Sequence, residues 1–166
     1  VDPRRFGVFD SWAGSDWQAH ELLQRLGYEP LETDELGAKL WKASRGRKVS
    51  IKDFIMNARV LVGVGNIYAC EALFLAGVDP RTKAGRLSKE RFEKLALAIC
   101  RILKKAISAG GTTLRDYRQL EGDVGSFAVS LFVYGREGMR CLQCRGEIFH
   151  AVQSGRTSWF CRFCQK

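Results

Sequence analysis

The stretch Cys141-Leu142-Gln143-Cys144, followed after sixteen residues by Cys161-Arg162-Phe163-Cys164, decides how the last quarter of the chain folds. Each Cys-x-x-Cys offers two thiolates from one tight turn, and two such knuckles can close a tetrahedron around a single Zn²⁺ with no open coordination position. The spacer is long enough for one β-hairpin. Glu147 to Val152 and Thr157 to Phe160 alternate like two strands, and Ser154-Gly155 marks the turn between them. The spacing predicts a structural zinc ribbon with Cys141, Cys144, Cys161 and Cys164 as its ligands. Disulfides or redox-active pairs are the alternative, and they suit a small secreted domain that cannot build a core. With 166 residues, 46% of them hydrophobic, this chain can bury one.

Upstream of the ribbon the pattern is helical. Gly14-Ser15-Asp16 is a helix start, with Trp17, Leu22, Leu23 and Leu26 at helical spacing until Gly27. Asp34 to Ala43 predicts a second helix with Leu36, Leu40 and Trp41 inward, and Ser50 to Met56 a capped third. Val60 to Val64 is apolar and β-branched; Gly63-Val64-Gly65-Asn66 then interrupts the pattern before a helix resumes over Ile67 to Ala76. Glycines allow close approach to a ligand, and the N–H groups that open the helix near Asn66 suit a phosphate. A plain helix turn explains the same residues. Ser88 opens a long amphipathic helix that Gly110-Gly111 ends, and Gln119 to Ser126 reads as a polar loop. Phe127 to Tyr134 is apolar enough to dock the ribbon onto the helical body. Cys70 and Cys100 read as packing thiols, and His20 and His150 as isolated structural or surface residues.

The net charge is +9, with basic residues spread along the chain, which favours polyanionic partners. No apolar run approaches the roughly 18 residues that a membrane-crossing helix needs, so a cytoplasmic protein is expected. The chain opens Val1-Asp2-Pro3 without an initiator Met, and a piece of a longer protein is expected.

Taken together, five ordered motifs resemble the formamidopyrimidine-DNA glycosylase family of base-excision repair enzymes, over the entire chain. The ribbon reads Cys141-x2-Cys144-x-Gly146-x-Ile148, seven residues, then Arg156-Thr157-Ser158-x-Phe160-Cys161-x2-Cys164-Gln165. Val62 to Ala69 is similar to the family's helix-two-turn-helix segment, and Asp2-Pro3-Arg4-Arg5-Phe6-Gly7 to its duplex-probing loop. Gly110-Gly111-Thr112-Thr113-Leu114 and Val133-Tyr134-Gly135-Arg136 also match.

The resemblance implies a mainly α fold: residues 1–12 as the end of an absent β-rich domain, 13–134 as a helical helix-two-turn-helix domain, and 135–166 as a zinc-finger β-hairpin. It implies that Lys52, Asn66 and Arg156 bind phosphates flanking a lesion in double-stranded DNA, and that Arg4 and Phe6 fill the gap left by an extruded base. Glu121, Gly122, Asp123, Val124, Gly125, Ser126 and Phe127 would cover that base, and the protein would act as a monomer. Base chemistry requires extrusion from the stack, which a wedge helps to offset.

The departure is catalytic. The family's nucleophile is an N-terminal proline followed by a glutamate, and neither is present; Pro3, Pro30 and Pro80 are all internal. The implied function is therefore the DNA-gripping half of a glycosylase and lyase acting on oxidised purines such as 8-oxoguanine. Two other readings stay open: a stand-alone, non-catalytic zinc-finger DNA-binding protein, and an RNA-binding helix-two-turn-helix protein of ribosomal type.

Overall fold

In the computed structural model, residues 20–110 and 131–166 are described. Arg4, Phe6 and residues 121–127, expected as wedge and lesion loop, lie outside them. The described chain forms helices α1 (Glu21–Gln24), α2 (Leu36–Ser44), α3 (Ile51–Ile55), α4 (Asn66–Leu75) and α5 (Lys89–Ser108), then strands β1 (Ile148–Gln153) and β2 (Arg156–Cys161).

Local chemistry sets most of these boundaries. The Ser50 hydroxyl accepts from Asp53 N at 3.0 Å and donates to Asp53 Oδ2 at 2.8 Å, so α3 starts where the sequence places its cap. Ser88 caps α5, whose buried side comprises Phe92, Leu95, Ile99, Ile102, Leu103 and Ala106. The stretch Val60 to Val64, apolar and β-branched, makes no strand. It contributes one parallel bridge, Tyr28 to Leu61, in which Tyr28 N donates to Val60 O at 3.0 Å and Val62 N to Tyr28 O at 3.0 Å. Gly27 enters this bridge because a Cβ there would lie 2.2 Å from the Val60 carbonyl carbon.

Around α5 the helices α2 and α4 pack into one core that includes Leu40, Ile51, Phe54, Ile55, Leu73, Phe92, Leu95 and Ile99, all 2% exposed or less. Gly37 lets α2 approach α5 closely, since a Cβ there would sit 2.6 Å from Glu93 Cα. The first helix is the exception: Leu22, Leu23 and Leu26, apolar positions at helical spacing, are 50%, 38% and 47% exposed. Cys100 is only half-buried, its thiol donating to Pro30 O at 3.2 Å.

A second, smaller core joins the helical body to the hairpin. Cys70 and Phe74 of α4 meet Val133, Cys141, Ile148 and Cys161, with Phe132, Tyr134 and Trp159 packed against them. Phe74 and Phe132 stack at 5.4 Å, and Tyr134 lies 4.3 Å from Trp159. The hairpin is antiparallel, with Ile148 opposite Cys161 and Gln153 opposite Arg156. Its two-residue turn is Ser154 (φ 48°) and Gly155 (φ 74°), and positive φ at both positions matches the right-handed twist of the strands.

Candidate metal centre and nucleic-acid interface

The four cysteines converge. Their sulfurs lie within 4.8 Å of one another, with Cys141 and Cys164 at 3.8 Å and Cys144 and Cys161 at 3.4 Å. These separations far exceed a disulfide bond and approach the edge of about 3.8 Å that a tetrahedron with metal–sulfur bonds of about 2.3 Å requires. Each knuckle is a tight turn. Arg145 N donates to Cys141 O at 3.0 Å with Arg145 at φ 66°, and Gln165 N donates to Cys161 O at 3.0 Å. Gly146 belongs in the first knuckle because Phe163 of the second covers it: a Cβ would sit 2.6 Å from the Phe163 ring.

The thiols differ in their electrostatics. The Gly146 N–H, assisted by the neighbouring thiols, brings Cys144 down to about 7. Burial, and then the other sulfurs, push Cys161 and Cys164 up. Four thiolates this close would repel one another, and a metal ion among them would offset that repulsion. The residues present fit a four-thiolate metal site.

At the far end of the hairpin stand the residues expected to meet phosphate. Arg156 is exposed on the first position of β2. Asn66 opens α4, preceded by Gly63 at φ 76° and by Gly65, which supplies no side-chain cap. The first N–H groups of that helix have no intrahelical acceptor, so they carry the partial positive charge that attracts anions. The Asn66 side chain turns toward the hairpin, its Nδ2 donating to Thr157 O at 3.0 Å. Its Oδ1 is buried and has no partner among the described residues.

Lys52 stands differently. It is 1% exposed, and its Nζ donates to Thr157 O at 3.1 Å and to Ser158 Oγ at 2.6 Å. Burial lowers its pKa, against the favourable fields of Cys70 and Asp53, while Arg156 adds to the lowering. Lys52 and Asn66 thus meet at one carbonyl, Thr157 O, one residue along the strand from Arg156.

Several supporting residues gave no sequence signal. Glu71 is 1% exposed, and its carboxylate accepts from the N–H groups of Phe132, Val133 and Tyr134. A Glu amid apolar helix residues is visible in the sequence, but its acceptor role needs a segment sixty residues away. Gln165, named only as part of the ribbon signature, is 2% exposed; it accepts from Cys161 N at 2.9 Å and donates to Val78 O at 2.9 Å. The Arg91 guanidinium donates to Gly77 O and to Lys166 O, fastening the second knuckle to the body. Arg81 pairs with Asp79 at 2.6 Å and lies over the Phe160 ring at 4.5 Å. His20 caps α1 through Nδ1, and His150 pairs with Glu137 at 2.5 Å.

Among the described residues no helix is long and apolar enough to cross a membrane. A family model for the formamidopyrimidine-DNA glycosylase H2TH domain matches residues 26–118. The chain is 51% identical over 166 residues to the formamidopyrimidine-DNA glycosylase of Pseudomonas fluorescens (strain SBW25), covering all of this chain and 61% of that protein. It resembles the crystal structure of the MutM (Fpg) protein of Thermus thermophilus with a TM-score of 0.88 at 38% identity, over 99% of this chain and 62% of that one. It also resembles Lactococcus lactis Fpg in complex with DNA containing an abasic site, with a TM-score of 0.80 at 33% identity, over 87% of this chain and 53% of that one. The chain therefore spans about three-fifths of the length of the curated relatives it matches.

Proposed function

The chain belongs to the formamidopyrimidine-DNA glycosylase family, and on that premise we propose that it is the DNA-gripping portion of a base-excision repair glycosylase and lyase for oxidised purines. The observation that carries this reading is that Lys52 and Asn66 both donate to Thr157 O, next to Arg156 at the tip of the hairpin. These bonds hold the N-terminus of α4 against the strand that carries the exposed Arg156. A helix N-terminus and a planar cation are two of the groups best suited to a phosphate backbone.

In this proposal the helical body, in a helix-two-turn-helix arrangement, and the hairpin form the two sides of the grip. The metal is a structural Zn²⁺ bound by Cys141, Cys144, Cys161 and Cys164, whose four thiolates leave no position for water. It holds the hairpin in shape. Arg4 and Phe6 act as the wedge, with Arg4 facing the orphaned partner base, and residues 121–127 cover the extruded base. The protein works as a monomer on damaged duplex DNA in the bacterial cytoplasm.

The test is binding by the zinc-loaded chain to three duplexes: undamaged, with 8-oxoguanine opposite cytosine, and with an abasic-site analogue. Tighter binding to the damaged duplexes, with no adduct on borohydride reduction, is the expected result. Equal affinity for all three would reduce the role to general DNA binding. A reduced adduct would reveal a nucleophile within these residues, with the Val1 amine the first to examine.

A further inference from the structure

Lys52 is almost completely removed from solvent, yet it is expected at a phosphate. Two of the three N–H groups of its ammonium are directed at the hairpin, toward Thr157 O at 3.1 Å and Ser158 Oγ at 2.6 Å. Ser158 is itself fully buried and passes the connection on, donating to Gln153 Oε1 at 2.6 Å across the turn. The Gln153 amide donates in turn to Pro80 O at 3.3 Å. Beside them Asp53 Oδ2 accepts from Ser154 Oγ at 3.0 Å, and Asn66 Nδ2 shares the Thr157 carbonyl with Lys52.

Every one of these bonds ends on a hairpin residue within three positions of Arg156: Gln153, Ser154, Thr157 or Ser158. Arg156 is exposed and at the edge of the network, so its direction is inherited from the backbone on either side. To reach a phosphate in solvent, Lys52 would have to give up two charge-assisted bonds, leaving Thr157 O only the Asn66 donor and Ser158 only its bond to Gln153. Two buried charge-assisted hydrogen bonds outweigh what one exposed phosphate contact returns.

Resting on the interface reading above, we propose that Lys52 is a positioning residue: its buried ammonium joins the hairpin tip to α3 and α4, sets the reach of Arg156 beside Asn66, and makes no phosphate contact of its own. Its charge matters because a cation binds the two oxygens more firmly than a neutral donor.

The experiment is a double-mutant cycle on the zinc-loaded chain, with affinity for a duplex containing an abasic-site analogue measured across a salt series. Arg156→Ala is expected to lower affinity and to shallow the salt slope by about 0.9, the signature of one phosphate contact. Lys52→Met should lower affinity several-fold alone, but less than twofold further in the Arg156→Ala background, with no further change of slope. A multiplicative loss with a second slope decrease of about 0.9 would place Lys52 on a phosphate and overturn the proposal.

Ser158→Ala removes one acceptor of the joint without altering any charge, and covers the case in which Lys52→Met does not fold. It should weaken binding only when Arg156 is present; wild-type affinity for this variant would overturn the proposal. Amide exchange at Gln153 to Thr157 supplies a readout independent of DNA, and faster exchange is expected in both joint variants. If Arg156→Ala leaves affinity and slope untouched, the interface reading fails, while the exchange data still decide whether Lys52 holds the tip. Unchanged exchange in both variants would refute the joint itself.

Discussion

The Glu71 carboxylate accepts the Val133 amide at 2.9 Å, joining the middle of α4 to the segment that leads into the first cysteine knuckle. The same Oε1 takes the Tyr134 N–H at 2.9 Å, and Oε2 takes that of Phe132 at 2.7 Å, so three successive donors have one buried anion as their partner. Glu71→Gln keeps the shape but turns one oxygen into a donor facing a donor. With an orphaned buried donor costing about 1–3 kcal/mol, the variant should lose at least about 2 kcal/mol. A urea denaturation midpoint equal to that of the native chain would contradict this.

Removing the proposed Zn²⁺ should disconnect the proposed interface. A two-stranded hairpin is marginal in water on its own, and this one has its base formed by Cys161 opposite Ile148. Chelation at neutral pH should melt β1 and β2, free four thiols to a colorimetric reagent, and lower DNA affinity at least tenfold by the loss of Arg156 and of packing behind it. Added Zn²⁺ should restore both signals. Retained affinity in the thiol-reactive state would show that the grip does not depend on the hairpin.

Asn66 and Arg156 should separate by charge. Asn66→Ala removes a neutral donor and the support of the Thr157 carbonyl, so affinity should fall with an unchanged salt slope. Arg156→Ala should change both, because only a cation releases counterions. Salt titrations of the two variants on one duplex make the comparison.

Gly37 sets two effects against each other. Alanine is the better helix former by about 1 kcal/mol, but its Cβ would lie 2.6 Å from Glu93 Cα on α5. Backbone cannot yield as a flexible side chain does, and overpacking of this kind costs about 1–3 kcal/mol. Gly37→Ala should therefore lower the thermal midpoint. A rise would mean that α2 and α5 separate easily.

Asp79 gives the acid side of stability a definite sign. Burial alone would raise its pKa, yet the hydrogen bonds and charge of Arg81 outweigh it and bring the net value below 3.8. A carboxylate depressed on folding adds stability that is complete above its unfolded pKa and lost as pH falls through the folded one. Asp79→Asn should remove that part of the slope in stability below pH 3.8. The same slope in both proteins would show that the pair with Arg81 contributes nothing.

The features legible in the sequence are those encoded over short spans. Cys-x-x-Cys spacing, the Ser154-Gly155 turn, the Ser50 and Ser88 caps and the period of α5 each depend on neighbours within a few residues, where chain geometry leaves few choices. These determined the hairpin, the gathering of the four cysteines and the helical body. Leu22, Leu23 and Leu26 show the limit: helical spacing shows which residues share a face, and packing decides whether anything covers it. Val60 to Val64 shows the same, since β-branched residues make a strand only where a partner runs alongside for more than one bridge.

The roles of Lys52, Glu71 and Gln165 were decided by tertiary structure alone. Their partners across the fold are 105 and 106, 61 to 63, and 87 positions away in the sequence, beyond the reach of any local pattern. A lysine after a helix cap reads as surface charge, and only the docking of the hairpin makes its ammonium a buried joint. Desolvation enforces that outcome: once the chain has closed over a charged group, the oxygens beside it must serve as its solvent.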